Sequence, residues 1–253
     1  MNYSETLEYL NSTPKFSAIL GNDNLKKLLE YLGNPQNRLK FIHVAGTNGK
    51  GSVCAMTAKI LQEAGYKTGL YTSPYIEVFN ERIQINGKYI PDNDLAEIAT
   101  RVKNAIEKLD IEISVFAQIT AMAFIWFLRE KCDFVVLETG LGGALDATNV
   151  ITTPVICAIT KIGLDHTQYL GGTIEEIAAE KCGIIKGKIP VVTCANQDAG
   201  AFSVIKSACK KHNSKLIIPS AADRFELTLK GAYQQFNAQV AAAAAKQLGI
   251  RPK

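Results

Sequence analysis

The chain has 253 residues, 47% of them apolar and 21% charged, which is enough for one sizeable α/β core or such a core with a small appendage. No window approaches the roughly 20 uninterrupted apolar residues of a membrane span, and "MNYSETLEYL" lacks the basic and apolar regions of a secretory signal, so a cytoplasmic protein is expected. The net charge of +4 is spread over scattered lysines; it neither indicates nor excludes nucleic acid, and it does not repel small anionic substrates.

Short β-branched runs alternate with longer segments of helical period, the pattern of a parallel sheet covered by helices on both faces. In chain order, a helix is expected over about 23–32, a strand at "LKFIHVA", a helix over about 50–64 and a strand at "KTGLYTS". In "ERIQINGKYI", Asn86-Gly87 between alternating residues calls for a type I′ hairpin, a small antiparallel excursion. Helices over about 92–108 and 116–131 follow, then strands at "DFVVLE" and "PVICAIT". The remainder reads as a helix over about 174–182, a strand at "IPVVTC", a helix over about 198–212, a strand at "KLII" and a helix over about 233–248. No internal repeat is visible, and "VAAAAAK" is a strong helix former. No linker divides the chain, which stops at "LGIRPK" directly after a helix. Cys54, Cys132, Cys157, Cys182, Cys194 and Cys209 are far apart, form no CxxC pair and sit in apolar or helical patterns, as reduced buried thiols do; this spacing argues against zinc.

The densest motif is "HVAGTNGKGSVCAM", which begins at His43. Gly46 to Ser52 falls between a strand and a helix, the context of a phosphate-binding loop. Glycines let backbone N–H groups approach a ligand, the helix N-terminus attracts phosphate, and Lys50 adds a full charge. The spacing departs from G-x-x-x-x-G-K-[ST]: two residues separate Gly46 from Gly49, and Gly51 is inserted before Ser52. The competing reading is a tight turn with a solvated lysine.

Glu138 ends the strand "DFVVLE" before a second glycine-rich turn, and Asp165-His166 follows "PVICAIT" at the same sheet edge, where ligands of open parallel sheets bind. Glu138 can hold Mg²⁺ or cap a turn; His166 can bind a metal, move a proton or serve structure. Lys181, in "IEEIAAEKCGII", reads as a surface residue paired with Glu180 or Glu176.

In order, "LGNPQ", "HVAGTNGKGS", "TSPY", "ERI", "LETGLGGALDATN", "LDHTQYLGGTIEEIAAEKCGI" and "GAYQQFNA" closely resemble the folylpolyglutamate synthase and dihydrofolate synthase family of Mur ligases, over nearly the whole chain. The resemblance implies a P-loop type Mur ligase central domain. It also implies an ATP-dependent ligase that adds L-glutamate to a folate or dihydropteroate carboxylate through an acyl phosphate. By position, Thr47, Asn48, Gly49, Lys50, Gly51 and Ser52 match the ATP loop, and Asn237 a position at the nucleotide's adenine end. Ser73 and Glu138 match ligands of a first Mg²⁺, and His166 and Lys181 those of a second, with Lys181 as a carbamate; Lys50, His166 and Lys181 would be the catalytic set. Arg82, Phe116, Leu145, Asp146 and Ala147 fall near the pteroate substrate. A cytoplasmic monomer without nucleic-acid or membrane partners is implied.

Ala117 stands where the family has glutamate and Ala144 where it has arginine; Gln118 can accept a hydrogen bond but carries no charge. The segment from "LIIPSA" to "FELTLKG" is shorter than in relatives, and the family's second α/β domain does not follow the last helix. Residues 1–253 are therefore read as the ATP-binding domain of such a ligase. The alternatives are a short homologue that binds nucleotide or pterin without ligating, and a small P-loop kinase, which the altered loop and the lack of an arginine lid disfavour.

Overall fold

Strands that are apolar on both sides have to lie between two layers of helices. The computed structural model describes residues 1–14, 21–220 and 222–250 and has that arrangement. Residues 251–253, at the end of "LGIRPK", and Ala221, within the segment from "LIIPSA" to "FELTLKG", lie outside the described residues. The strands are β1 (Phe41–Ala45), β2 (Thr68–Tyr71), β3 (Ile83–Ile85), β4 (Lys88–Tyr89), β5 (Phe134–Glu138), β6 (Ile156–Ile159), β7 (Val191–Thr193) and β8 (Leu216–Ile217). The helices are α1 (Tyr3–Ser12), α2 (Asp23–Tyr31), α3 (Lys50–Glu63), α4 (Asp92–Leu109), α5 (Val115–Arg129), α6 (Thr167–Leu170), α7 (Ile174–Lys181), α8 (Ala199–Lys211) and α9 (Tyr233–Gln247).

The sheet runs β4-β3-β2-β5-β1-β6-β7-β8. The six strands from β2 to β8 in that order are mutually parallel; β3 is antiparallel to both β2 and β4. The hairpin turn is as expected, with Asn86 and Gly87 at φ 49° and 75°.

Alternate strand residues serve different layers. Ile42, Val44, Val136, Ile156 and Val192 pack with Val53, Leu61, Val240 and Ala244 of α3 and α9. On the other face, Phe41, Tyr71 and Leu137 meet α4 and α5, while Cys157, Ile159 and Val191 meet α7 and α8. The alanine run does more than favour a helix, because Ala241 to Ala245 are buried and α9 lies along α3. Every side chain from Ala117 to Phe127 in α5 is buried, so this helix has no solvent face.

Helix α1 is an element the sequence reading did not predict. Its signal was a capping box: the Asn2 side chain accepts from Glu5 N, and the Glu5 carboxylate accepts from Asn2 N at 2.9 Å. All six cysteines are free and buried. Among the described residues no helix is long and apolar enough to cross a membrane.

Candidate active site

Chain winding reverses at β1, which pairs with β5 on one side and β6 on the other. A crevice opens beyond the carboxyl ends of strands at such a point. The loop after β1 enters it on glycines at positive φ, Gly46 at 151° and Gly49 at 88°. A side chain at Gly46 would strike Thr160 Oγ1 and one at Gly49 would strike Asn237 Oδ1, so neighbouring strand and helix sit directly on the backbone. Thr47 N and Asn48 N donate to the Lys161 carbonyl at 3.0 and 3.1 Å, and Thr47 Oγ1 bonds Gly163. Those two amides, expected in the phosphate cradle, thus hold the loop to the end of β6. The first-turn N–H groups of α3 have no intrahelical partner by helix geometry, and no side chain caps them.

Two lysines converge on one oxygen. Lys50 Nζ donates to the Gly46 carbonyl at 3.1 Å and Lys181 Nζ to the same oxygen at 2.9 Å. The surface pairing expected for Lys181 from its spacing is corrected: only 3% of it is exposed. It follows Ile177 by four residues and lies on the helix face that packs inward with Ile177 and Ala178. Burial, and then the Lys50 charge, lower its pKa to about 8.

Glu138 at the end of β5 is also buried, and its Oε2 accepts from Ser73 N at 3.3 Å. Desolvation raises its pKa to about 7 against the pull of Lys50. A Cβ at Gly51 would sit 3.7 Å from Oε2, so the inserted glycine keeps the space beside the carboxylate open. A buried carboxylate with one backbone hydrogen bond and free space fits Mg²⁺, which takes one or two protein oxygens and completes its shell with phosphate and water. No group of three or more His, Cys, Asp or Glu that could hold a metal occurs among the described residues. Asp165 and His166 lie half exposed at the β6 end, with His166 Nε2 3.7 Å from Asp165 Oδ2, and Asp165 acts electrostatically on Lys181. Asn237 packs on Gly49 and donates to Gln234 Oε1 at 2.8 Å.

Near the same sheet edge, lined by Ser73, Gly140 and Glu180 but by no residue of the loop, lies a cavity of about 970 Å³. Arg82, Phe116, Leu145, Asp146 and Ala147 all line it, as does Ala117. Gly140 allows the Phe116 ring to lie against bare backbone. The Arg82 guanidinium is 5.0 Å from the Tyr75 ring centre and 5.6 Å from that of Phe79, and its buried Nε–H has no acceptor among the described residues. Gln118 does not face the cavity chemistry: it accepts from Tyr9 OH at 2.8 Å and donates to the Ile113 carbonyl, fastening α1 to α5. Ala144 N donates to the Glu180 carbonyl at 3.0 Å.

Motif reading missed Lys161, which works through its carbonyl, and Gln197, whose amide donates to Thr160 O at 2.8 Å and accepts from Ile162 N at 3.0 Å. Neither carries a sequence signal, because the partners are backbone atoms and, for Gln197, also the Thr193 hydroxyl at 3.2 Å, none of which a motif marks.

The Mur ligase middle domain family matches residues 44–245. The chain is 44% identical over 215 residues to the dihydrofolate synthase/folylpolyglutamate synthase of Bacillus subtilis (strain 168), covering 83% of this chain and 50% of the relative. It is 39% identical to the folylpolyglutamate synthase of Lacticaseibacillus casei, covering 97% of this chain and 64% of the relative. It thus spans about half to just under two thirds of the length of these curated relatives. The apo form of L. casei FPGS superposes with a TM-score of 0.92 at 38% identity, and an FPGS-AMPPCP-folate complex with 0.91 at 37%; each covers 100% of this chain and 69% of the other.

Proposed function

Because the chain belongs to the Mur ligase middle domain family, we propose that it is the ATP-binding domain of a folylpolyglutamate or dihydrofolate synthase. The observation that carries this is a convergence on one sheet edge: glycine loop, Lys50, Lys181 and buried Glu138 beside a cavity large enough for a folate-sized acceptor. Relatives described as folylpolyglutamate synthases, and an FPGS structure with AMPPCP and folate, support the substrate class.

A carboxylate does not condense with an amine directly, since its oxygen leaves poorly. ATP's γ-phosphoryl passes to the acceptor carboxylate, releasing ADP; the glutamate amine attacks the acyl phosphate, phosphate departs, and the amide remains. Lys50 and the α3 N-terminus oppose the charge that develops on the phosphate oxygens. Ser73 and Glu138 would hold Mg²⁺, which supplies charge neutralisation when bound. His166 and Lys181 are the residues proposed for a second ion, with Lys181 as carbamate. Its lowered pKa of about 8 leaves free amine to react with CO₂, and the product removes the clash of two ammonium groups at the Gly46 carbonyl.

The test is phosphate release by the full product of the gene, given ATP, L-glutamate and either dihydropteroate or tetrahydrofolate. Glutamate-dependent release with either acceptor is expected, and none with both removes the ligase reading. Nucleotide binding without turnover would instead support a homologue that binds without ligating, as Ala117 and Ala144 suggest.

A further inference from the structure

Asp146, which the family resemblance places near the substrate, is not free to bind one. Its carboxylate accepts from four donors: Gly140 N and Leu141 N, each at 2.9 Å, Thr148 N at 2.9 Å, and the Thr148 hydroxyl. Four donors fill the acceptor sites of an ionised carboxylate. The Thr148 proton is committed to Asp146, so Thr148 Oγ1 must accept at its other contact, 2.8 Å away at His43 Nε2. His43 therefore carries its proton on Nε2. It is fully buried in β1, three residues before Gly46, and its Nδ1 has no partner among the described residues. Asn22 Nδ2 closes the outer side by donating to the Asp146 carbonyl at 2.8 Å.

We infer that His43 and Thr148 are positioning residues that act through Asp146, fixing the 140–147 wall of the acceptor cavity to the strand that carries the phosphate loop. The chain His43–Thr148–Asp146 starts at β1 and ends on the amides of Gly140 and Leu141, which lie two and three residues past the end of β5 and border the cavity. The His43–Thr148 and Thr148–Asp146 links are buried, so water cannot replace a partner lost there, while the bonds to Gly140 and Leu141 are part-buried at the cavity wall. The network sets the distance between the acceptor wall and the transferred phosphoryl group. That role rests on the ligase reading for the identity of the acceptor, whereas the fastening of the wall does not.

Thr148→Val keeps the shape and removes the hydroxyl; Thr148→Ser restores it. Leaving two buried partners unpaired corresponds to about a tenfold change in an equilibrium. In Thr148→Val, amide exchange at Gly140 and Leu141 should quicken by about tenfold or more while β1 and β5 keep their protection. Dihydropteroate affinity by calorimetry in the presence of Mg²⁺ and AMPPCP should fall about tenfold, with AMPPCP affinity itself within about twofold, and Thr148→Ser should recover both readouts. Unchanged exchange at Gly140 and Leu141, or nucleotide and dihydropteroate weakening together, overturns the inference. If the wild-type protein binds neither ligand, the ligase reading has failed, and exchange at the two amides still decides the network.

Discussion

The phosphate loop and the acceptor cavity share one sheet edge but are built by different means. The loop takes its shape from backbone: positive-φ glycines, amides spent on the Lys161 carbonyl, and a helix start left uncapped. The cavity wall takes its shape from side chains, above all the Asp146 carboxylate and the aromatic pair that holds Arg82. A backbone-built site tolerates substitution around it and fails at a glycine or at its one charge. A side-chain-built wall can be altered piece by piece.

Lys50→Ala should separate the two regions most sharply. Removing a charge-assisted contact to phosphate is expected to weaken nucleotide binding by about 10- to 100-fold. The fold should be kept, since Lys50 bonds only loop carbonyls. Unchanged ATP affinity in calorimetry would refute the cradle.

Gly49→Ala tests the backbone claim. Gly49 sits at φ 88° with Asn237 against it, so a side chain costs strain as well as space. A stability loss of about 1–3 kcal/mol by denaturant unfolding is expected. An equal loss in Gly65→Ala, where φ is 92° but nothing lies within 4 Å, would show that contact with Asn237 adds nothing.

Glu138 predicts a pH effect on the ligand-free protein. Its folded pKa of about 7 exceeds the ordinary glutamate value of 4.5, so between these values the native state binds more protons than the unfolded one. Its destabilising effect is absent below the unfolded pKa, grows as pH rises, and is complete above about 7, at most about 3 kcal/mol. Glu138→Gln should flatten this slope in denaturant titrations while weakening Mg²⁺-dependent nucleotide binding. A slope that survives the substitution assigns the effect elsewhere.

Lys181 should gain the mass of one CO₂ in bicarbonate buffer near pH 8; an unmodified lysine throughout would contradict the carbamate. The smallest effect is expected from Ala117→Glu. It places a carboxylate on the cavity wall and should shift acceptor affinity by a few fold, leaving nucleotide affinity within about twofold. Nucleotide loss there would mean that the two regions are not independent.

Much of this molecule was legible locally. Strand periods, the Asn86-Gly87 turn and the strand–glycine–helix order of residues 41–63 each depend on neighbours a few positions away. The sequence therefore determined the α/β sheet, the place of the phosphate loop and the position of Glu138 at a strand end. Only the tertiary structure decided what Lys181 meets: its spacing from Ile177 puts it on the inward face of its helix, but its Gly46 partner lies 135 residues away and no local pattern names it. The same holds for His43, whose partner Thr148 lies 105 residues on, and for the Lys161 carbonyl, since every residue carries one. Contacts of this kind depend on strand order, and β5 enters between β1 and β2 for a reason no local pattern states. Packing sets which strand ends meet; the residues at those ends then acquire partners, shifted pKa values and a site.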